Sequence, residues 1–179
     1  TGPASSFTDP AGVAVDGSGN VYVADGSNRR IRKITPGGVV TTLAGSGSNA
    51  HADGTGTGAS FRDPTGVAVD VSGNVYVADM HNNLIRKITS GRVVTTLAGS
   101  GSTGSANGTG TAASFTYPHG VAVDGSGHVY VTDRSNYLIR KITSGGVVTT
   151  LAGSGSSGSA NGTGTAASFS SPHGVAVDG

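Results

Sequence analysis

A fixed repeat is the feature of this sequence that most constrains its fold. The string Gly-Val-Ala-Val-Asp begins at Gly12, Gly66, Gly120 and Gly174, so each copy starts 54 residues after the previous one. A constant period of this kind predicts a repeat architecture, in which each unit is one supersecondary structure that packs on its neighbours. We therefore divide the chain into repeats at about 12–65, 66–119 and 120–173, with 174–179 starting a fourth.

Each repeat predicts four β-strands. In the second repeat they are expected at 66–70, 75–79, 84–89 and 93–98. β-Branched residues favour these strands, and the short Gly, Asn and Ser connections favour antiparallel hairpins. Apolar residues on both faces of a strand indicate sheets packed on both sides, as in a propeller. The sequence predicts an all-β fold, a β-propeller of four-stranded antiparallel blades, with residues 99–114 as an exposed loop between blades.

Composition excludes several classes of partner. The chain has 11 basic and 10 acidic residues, a formal charge of +1, so nucleic acid is not an expected partner. Cysteine is absent from the sequence, which excludes disulfides and thiolate metal sites. Membrane insertion is not expected, because no stretch of the sequence approaches the roughly 18–20 apolar residues that would span a bilayer.

The repeated motifs resemble those of the NHL-repeat family of β-propellers. The resembling segments of the second repeat are Pro64 to Asp70, Gly73 to Asp79 and Asn82 to Ile88, and they recur in the first and third repeats. The resemblance implies a ring of blades, commonly six, of which this chain would supply three complete blades and the first strand of a fourth. An isolated strand at 174–178 would be an unpaired edge, so we expect further repeats of the same chain or self-association to cover it.

One face of the predicted propeller is a candidate binding surface. The second and third repeats differ at ten of 54 positions, and six of these lie in the second-to-third-strand loop or the inter-blade loop. In an antiparallel blade both loops lie on the same face. We interpret this face as a site for a protein or glycan partner; the alternative is drift in exposed loops. The candidate residues are Met80, His81, Asn83, Tyr117, Arg134 and Tyr137.

Two histidines extend this candidate set toward the predicted central channel. His119 and His173 each precede the first strand of a repeat. Some NHL-like lyases, by resemblance, bind metal through histidines near the channel, but zinc needs three or four protein ligands. We therefore predict no metal and no cofactor. Near-identical repeats do not bring different groups together for catalysis, so we expect no enzyme activity; a metal-dependent lyase or hydrolase, or the ligand-sensing propeller of a larger receptor, remain the alternatives.

A recurrent pair of opposite charges predicts a structural contact. An aspartate precedes an arginine by seven residues in each repeat, which spans one hairpin. Because the pair recurs in every repeat, an ion pair that stabilises the blade is favoured over a catalytic role. The pairs are Asp25 with Arg32, Asp79 with Arg86, and Asp133 with Arg140.

Two sequons bear on localisation. Asn107 and Asn161 each begin an Asn-Gly-Thr sequence in the Ser/Thr/Gly-rich inter-blade segments, where the first repeat has Asp53. Both asparagines are candidate glycosylation sites. With the low-charge composition, they favour a secreted, extracellular or cell-surface protein. The sequence as a whole predicts a non-catalytic scaffold or interaction module, because repetition extends one surface.

Overall fold

The computed structural model describes residues 5–178 as three antiparallel β-sheets. The first sheet contains β1 (Pro10–Val15), β2 (Val21–Asp25), β3 (Arg30–Ile34) and β4 (Val40–Ala44). The second contains β5 (Gly54–Thr55), β6 (Pro64–Val69), β7 (Val75–Asp79), β8 (Leu84–Ile88) and β9 (Val93–Ala98). The third contains β10 (Gly108–Thr109), β11 (Pro118–Val123), β12 (Val129–Asp133), β13 (Leu138–Ile142) and β14 (Val147–Ala152).

Short 3-10 turns are the helical elements of the described residues. They lie at Gly56–Gly58, Met80–Asn82, Gly110–Ala112, Arg134–Asn136 and Gly164–Ala166. No helix among residues 5–178 has the length and apolarity needed to cross a membrane.

The main strands of each sheet form the predicted antiparallel meander. In the second sheet Val77 of β7 lies opposite Val67 of β6 on one side and Arg86 of β8 on the other. A bulge between Ile85 and Arg86 shifts the register of β8 against β9. The equivalent strands of the first and third sheets pair in the same way. The prediction of an all-β fold built from antiparallel sheets is confirmed.

The prediction of four strands in every sheet is wrong for the second and third sheets. Each has a fifth strand at its edge, because β5 pairs with β9 and β10 pairs with β14. The fifth strand comes from the linker that precedes the sheet; we call residues 45–63 and 99–117 the first and second linkers. The sheets therefore do not coincide with the repeats at 12–65 and 66–119: each takes one strand from the repeat before it.

The second linker is more ordered than the exposed loop expected at 99–114. The Gly110 N–H donates to the Gly146 carbonyl at 2.9 Å, and the Gly99 N–H donates to the Gly110 carbonyl at 3.1 Å. These bonds satisfy backbone groups that would otherwise lose water without replacement. A Cβ at Gly108 would lie 2.9 Å from the backbone of Ala112, so only glycine fits in this strand. Small residues here permit close backbone pairing, which explains a composition that suggested a loop.

Each sheet has two apolar faces of different composition. The valine face of the second sheet carries Val67, Val69, Val75, Val77, Ile88 and Val94, and its alanine face carries Ala68, Tyr76, Ala78, Ile85 and Ala98. The alanine face of the first sheet packs on the valine face of the second. The alanine face of the second packs on the valine face of the third in the same way. The core of the protein therefore lies between sheets, and one interface is used twice.

The two outermost faces are not covered. Val13 on the valine face of the first sheet is 66% exposed, whereas its equivalents Val67 and Val121 are 6% and 7% exposed. Leu151, in the third sheet, is 47% exposed. Full burial of a valine side chain contributes about 1.5–3 kcal/mol. Equivalent residues of near-identical repeats therefore contribute differently, depending on whether another sheet covers them.

Residues 172–178 do not form the expected first strand of a fourth blade. They have no regular secondary structure, although they repeat the sequence that forms β6 and β11. A strand is defined by ladder hydrogen bonds to a second strand, and none is present for this segment among the described residues. Gly179 lies outside the described residues.

A buried arginine joins each of the last two sheets to its linker. Arg86 Nη1 lies 3.0 Å from Oδ2 of Asp79, and Nη2 lies 2.7 Å from Oδ1 of Asp53. The same guanidinium donates to the carbonyls of Ser60 and Ala52 at 3.2 and 3.1 Å. It also lies 5.4 Å from the ring centroid of Phe61, within cation–π range. Arg86 therefore binds one strand residue and several linker residues at once.

The same arrangement occurs in the other sheets. Arg32 and Asp25 are 3.1 Å apart, and Arg140 and Asp133 are 2.8 Å apart. Arg140 also donates to Oδ1 of Asn107 at 2.8 Å. Asn107 therefore accepts a hydrogen bond from the buried arginine of the third sheet, as Asp53 does in the second sheet.

Each paired aspartate has further donors. The Arg62 N–H donates to Asp79 at 2.7 Å and the Asn82 amide donates to it at 2.9 Å. Burial raises the pKa of the Asp79 carboxyl, and these donors together with Arg86 oppose that rise. These donors favour the charged form of a carboxyl group whose neutral form burial favours.

A second recurrent aspartate stabilises the β1–β2 hairpin and its equivalents. Asp16 accepts hydrogen bonds from the side chain of Asn20, from the backbone of Ser18 and Asn20, and from the Tyr22 hydroxyl. The Asn20 side-chain bond is the largest of the effects that lower the pKa of Asp16 from 3.8 to about 2. Asp70 and Asp124 make the same turn in the other sheets.

Removing the buried guanidinium should strongly destabilise the fold. We expect Arg86→Leu to lower the free energy of unfolding by about 3–5 kcal/mol, because Asp79 would remain buried without its counter-charge. Urea unfolding followed by circular dichroism measures the change. Arg92→Gly is the matched control, since the equivalent residues are Gly38 and Gly146, and it should change stability by less than about 1 kcal/mol. Equal losses in the two variants would contradict this role for Arg86.

The hairpin aspartates should make stability depend on pH in acid. A carboxyl with a lower pKa in the folded chain stabilises the fold above its unfolded pKa, and the stabilisation is lost as the pH falls through the folded pKa. For Asp16 this interval is 3.8 down to about 2. We expect Asp16→Asn to reduce the loss of unfolding free energy across it, measured by urea titrations at successive pH values. Asp9→Asn, at an exposed carboxylate, is the control; an unchanged pH profile for Asp16→Asn would refute the assignment.

Candidate functional site

The turns between the second and third strands lie beside the linkers on one side of the protein, which we call the loop face. The Asn83 amide donates to the Gly101 carbonyl at 3.3 Å, and Oδ1 of Asn83 accepts from the Tyr117 N–H at 3.0 Å. The Asn82 amide reaches the first linker at the Ala50 carbonyl, 3.2 Å away. Turn and linker residues that are far apart in sequence therefore form one continuous surface.

The backbone of the loop face contains two series of left-handed residues other than glycine. The first follows the turns between second and third strands: Arg29, Asn83 and Tyr137, with φ of 54°, 54° and 57°. The second precedes a proline in each repeat: Asp9, Asp63, Tyr117 and Ser171, with φ between 48° and 56°. Asn and Asp tolerate this conformation, whereas Arg and Tyr adopt it at a cost in free energy. Backbone conformation alone therefore does not account for the side chains at these positions.

Several candidate residues of the loop face meet between the second and third sheets. Nδ1 of His81 lies 3.0 Å from Oδ2 of Asp63, and the His81 ring packs edge to face on Tyr117 with centroids 5.5 Å apart. Asn83 joins this cluster through its bond to the Tyr117 N–H. Met80 belongs to the same turn as His81. The structure thus brings His81, Asn83 and Tyr117 together.

Arg134 and Tyr137 lie on the equivalent turn of the third sheet. Both are partly buried, and Nε of Arg134 has no hydrogen-bond partner among the described residues. No hydrogen bond within residues 5–178 joins either side chain to the His81 cluster. These two residues form a separate part of the loop face.

A polar cleft between the first two sheets was not found from the sequence. It has a volume of about 260 Å³ and is lined by Asp9, Gly26, Ser27, Arg29, Asn49, Arg62, Asp63 and His81. His81 was the one lining residue predicted as a candidate. The comparison of the second repeat with the third could not reveal the others, because Arg29 belongs to the first repeat. Comparing the first repeat with the others would have shown that Arg29 and Arg62 stand at positions where no other repeat has an arginine.

The first strands of the sheets lie side by side along a second cavity of about 310 Å³. A Cβ at Gly66 would clash with the carbonyl oxygen of His119, so glycine is required where these strands meet. The rings of His119 and His173 are 4.7 Å apart at this cavity, and Nδ1 of His119 lies 3.3 Å from the His173 carbonyl oxygen. Burial, and then the neighbouring His173, lower the pKa of His119.

The two histidines have too few ligating side chains around them, among the described residues, to complete a metal site. Within residues 5–178 there is no group of three or more His, Cys, Asp or Glu side chains arranged to hold a metal ion. The cavity offers two imidazoles and backbone groups of the glycine-rich strand ends.

The two sequon asparagines lie on the surface, but Asn107 has a structural contact. Both Asn107 and Asn161 are exposed. Oδ1 of Asn107 accepts from Arg140 at 2.8 Å, which positions the linker on the third sheet. Asp53 in the first linker and Asn107 at the equivalent position of the second linker therefore both supply an acceptor for the buried arginine.

The chain is similar to curated proteins, one of which is named for its NHL repeats. It is 38% identical over 101 residues to NHL repeat-containing protein 2 of Gallus gallus, covering 55% of this chain and 14% of that protein. It is 40% identical over 80 residues to Protein SUPPRESSOR OF QUENCHING 1, chloroplastic, of Arabidopsis thaliana, covering 44% of this chain and 8% of that one. The chain thus spans a small part of these relatives.

Solved structures share the fold over nearly the whole chain. A structural genomics protein of unknown function from Bacteroides thetaiotaomicron superposes with a TM-score of 0.76 at 26% identity, covering 95% of this chain and 42% of that one. An auxiliary nutrient binding protein from the same organism gives a TM-score of 0.74 at 20% identity, covering 93% and 42%. The NHL repeat family matches residues 7–34, 61–88 and 115–142, each match containing the first three main strands of one sheet. With three matches at one constant step, this chain belongs to the NHL-repeat family.

Proposed function

We propose that this chain is a non-catalytic interaction module that binds a protein or glycan partner through its loop face, outside the cell or at its surface. One observation carries the proposal. Side chains change on the loop face between near-identical repeats while the backbone beneath them keeps the same left-handed conformation. A constant framework with variable side chains is what a recognition surface requires.

The chemistry of the variable residues supports binding. Tyr117 is 38% exposed and packs on His81, so it presents a large side chain held by a neighbour. Tyrosine and arginine are enriched at protein interfaces because they combine apolar area with hydrogen-bonding groups. Tyr137 and Arg134 bring the same residue types to the next turn.

We also propose that the three sheets are part of a closed ring, six blades in the arrangement common to the family. The uncovered valine face of the first sheet and the uncovered alanine face of the third are the two halves of the interface used twice inside the chain. A head-to-tail interface of this kind forms a ring if its rotation closes. Further repeats of a longer chain, or a second copy of this one, would cover these faces.

The extracellular proposal is supported by features of the linkers and of the composition. It rests on the exposed sequons at Asn107 and Asn161 and on the Ser/Thr/Gly-rich composition. Since Oδ1 of Asn107 is engaged by Arg140, a glycan on the amide nitrogen would have to leave that contact in place.

A metal-dependent lyase or hydrolase is the second candidate function. It is favoured by the juxtaposition of His119 and His173 at the mouth of the cavity between the first strands. A third ligand and a catalytic acid would have to come from outside the described residues, because no cluster of three ligating side chains occurs within them.

Changing the His81 cluster should weaken partner binding. The test probes the labelled chain on arrays of defined oligosaccharides and of extracellular-matrix proteins, then measures the strongest partner by biolayer interferometry. The double variant His81→Ser and Tyr117→Ser carries residues that equivalent positions already contain, Ser135 and Ser171. We expect it to bind at least ~10-fold more weakly, the typical effect of losing a buried aromatic contact. Val71→Gly is the matched control, because Val71 is 95% exposed in another turn and its equivalent is Gly125.

Two results would contradict the binding proposal. One is the absence of any specific partner on either array. The other is an equal affinity of the double variant and the control for the partner found.

Covering the exposed faces should make the isolated chain associate. We expect native mass spectrometry to give twice the 17.3 kDa mass of the chain, because two copies would bury both uncovered faces. Val13→Asp should yield a monomer, whereas Val71→Asp, at an exposed residue outside the interface, should remain a dimer. A wild-type monomer that unfolds cooperatively would refute closure by a second copy.

A further inference from the structure

The polar cleft between the first two sheets is open because of one glycine. A Cβ at Gly26 would lie 3.0 Å from Oδ1 of Asp63 and 3.0 Å from the carbonyl oxygen of Asp9. The equivalent residues in the next two repeats are Met80 and Arg134. A side chain of that size at residue 26 would occupy the space that the cleft provides.

The two arginines of the cleft are specific to this junction. Arg29 stands where the later repeats have Asn83 and Tyr137. Arg62 stands where the other repeats have threonine or serine: Thr8, Thr116 and Ser170. Arg29 and Arg62 therefore both line this one cleft. Arg29 does so although its backbone is left-handed, with φ of 54°.

Several charged groups in the cleft have unused bonding capacity. Among residues 5–178, the Arg62 side chain and the Asp9 carboxylate have no hydrogen-bond or ion-pair partner. Asp63 uses Oδ2 to bind His81, while Oδ1, the oxygen nearest Gly26, has no partner among the same residues. Arg29 makes one long bond of 3.4 Å to the Gly47 carbonyl.

The charges restrict the class of ligand. Two arginines and two aspartates are among the residues that line the cleft. An inorganic anion would be placed near both carboxylates, and a metal ion near both guanidiniums, whereas a neutral molecule would leave the charges unpaired at a cost in desolvation. A molecule that carries one positive and one negative charge can pair with the arginines and with the aspartates. Guanidinium binds carboxylate in a bidentate manner, and aspartate accepts hydrogen bonds from ammonium.

The size of the cleft restricts the ligand further. Its volume of about 260 Å³ lies below the roughly 300–1,000 Å³ typical of pockets for drug-sized ligands. A free α-amino acid has an ammonium group and a carboxylate group on the same carbon atom and is small enough for this space.

We propose that this cleft binds a small zwitterion of the α-amino acid class. Arg29 and Arg62 bind its carboxylate, and Asp9 and Asp63 bind its ammonium group. Gly26 leaves the room that it occupies. This inference rests on the proposed binding role of the loop face and names a ligand class for one part of it.

Titration with L-serine, followed by NMR chemical-shift changes of the labelled chain, tests the inference. We expect saturable shifts in the cleft residues with a Kd of about 1 mM or lower. N-Acetyl-L-serine lacks the ammonium charge and L-serine methyl ester lacks the carboxylate, so each should bind at least ~10-fold more weakly, as expected on losing a charge-assisted pair. Absence of saturable shifts with L-serine, or equal binding of either derivative, would overturn the proposal.

Two variants locate the site. Gly26→Met introduces the residue found at position 80 and should abolish the L-serine shifts, while Met80→Gly serves as its control and should retain them. Arg62→Thr introduces the residue found at position 116 and should weaken binding, while Arg92→Gly removes an arginine outside the cleft. Binding that survives both Gly26→Met and Arg62→Thr would overturn the site assignment.

The test of the zwitterion site and the test of the interaction surface can succeed or fail independently. Loss of partner binding in the His81→Ser and Tyr117→Ser variant, with no L-serine binding by the wild-type chain, would refute the zwitterion site and leave the interaction surface in place. L-Serine binding without any protein or glycan partner would refute the larger proposal and leave a small-molecule site.

Discussion

The position of each linker depends on a guanidinium group that the fold buries. Arg86 and Arg140 are fully buried, and in each both terminal nitrogens have acceptors. A buried charge without such partners would cost several kcal/mol. Because three of the four acceptors of each arginine are linker atoms, the sheet cannot form with its arginine satisfied unless the linker packs on it. The fifth strand of each of these two sheets belongs to the linker that the arginine binds.

Sequence patterns were informative where they reflected local geometry. The seven-residue spacing of Asp133 and Arg140 corresponds to one hairpin, and alternating valines identified the main strands. The fifth strand at Gly108–Thr109 left no such pattern, because it pairs through its backbone and carries almost no side chain. Residues 174–178 show the opposite case, since a sequence identical to part of β6 forms no strand without a pairing partner. The polar cleft was missed because Asp9, Arg29, Arg62 and Asp63 lie outside the two repeats that were compared.

On the loop face, a constant backbone carries side chains that vary between repeats. Prolines, buried aspartates and 3-10 turns determine the path of the backbone, and residues with φ near 55° recur at fixed positions along it. At the first junction these side chains are charged and leave a cleft, whereas at the second His81 packs on Tyr117. One framework therefore carries two different local surfaces within a single chain. The difference arises from a few substitutions that leave the sheets unchanged.

The strand that each linker contributes also bears on how the chain folds. Since the second and third repeats differ at few positions, the edges β9 and β14 present nearly the same backbone to any linker strand. Tethering raises the effective concentration of each linker at the two sheets that flank it, compared with the edges of any other chain. Chains crowded together during synthesis lose part of this advantage, and exchange of linkers between them would produce entangled oligomers. Correct pairing of the linker strands therefore depends on chain connectivity as well as on the sequence of the edge.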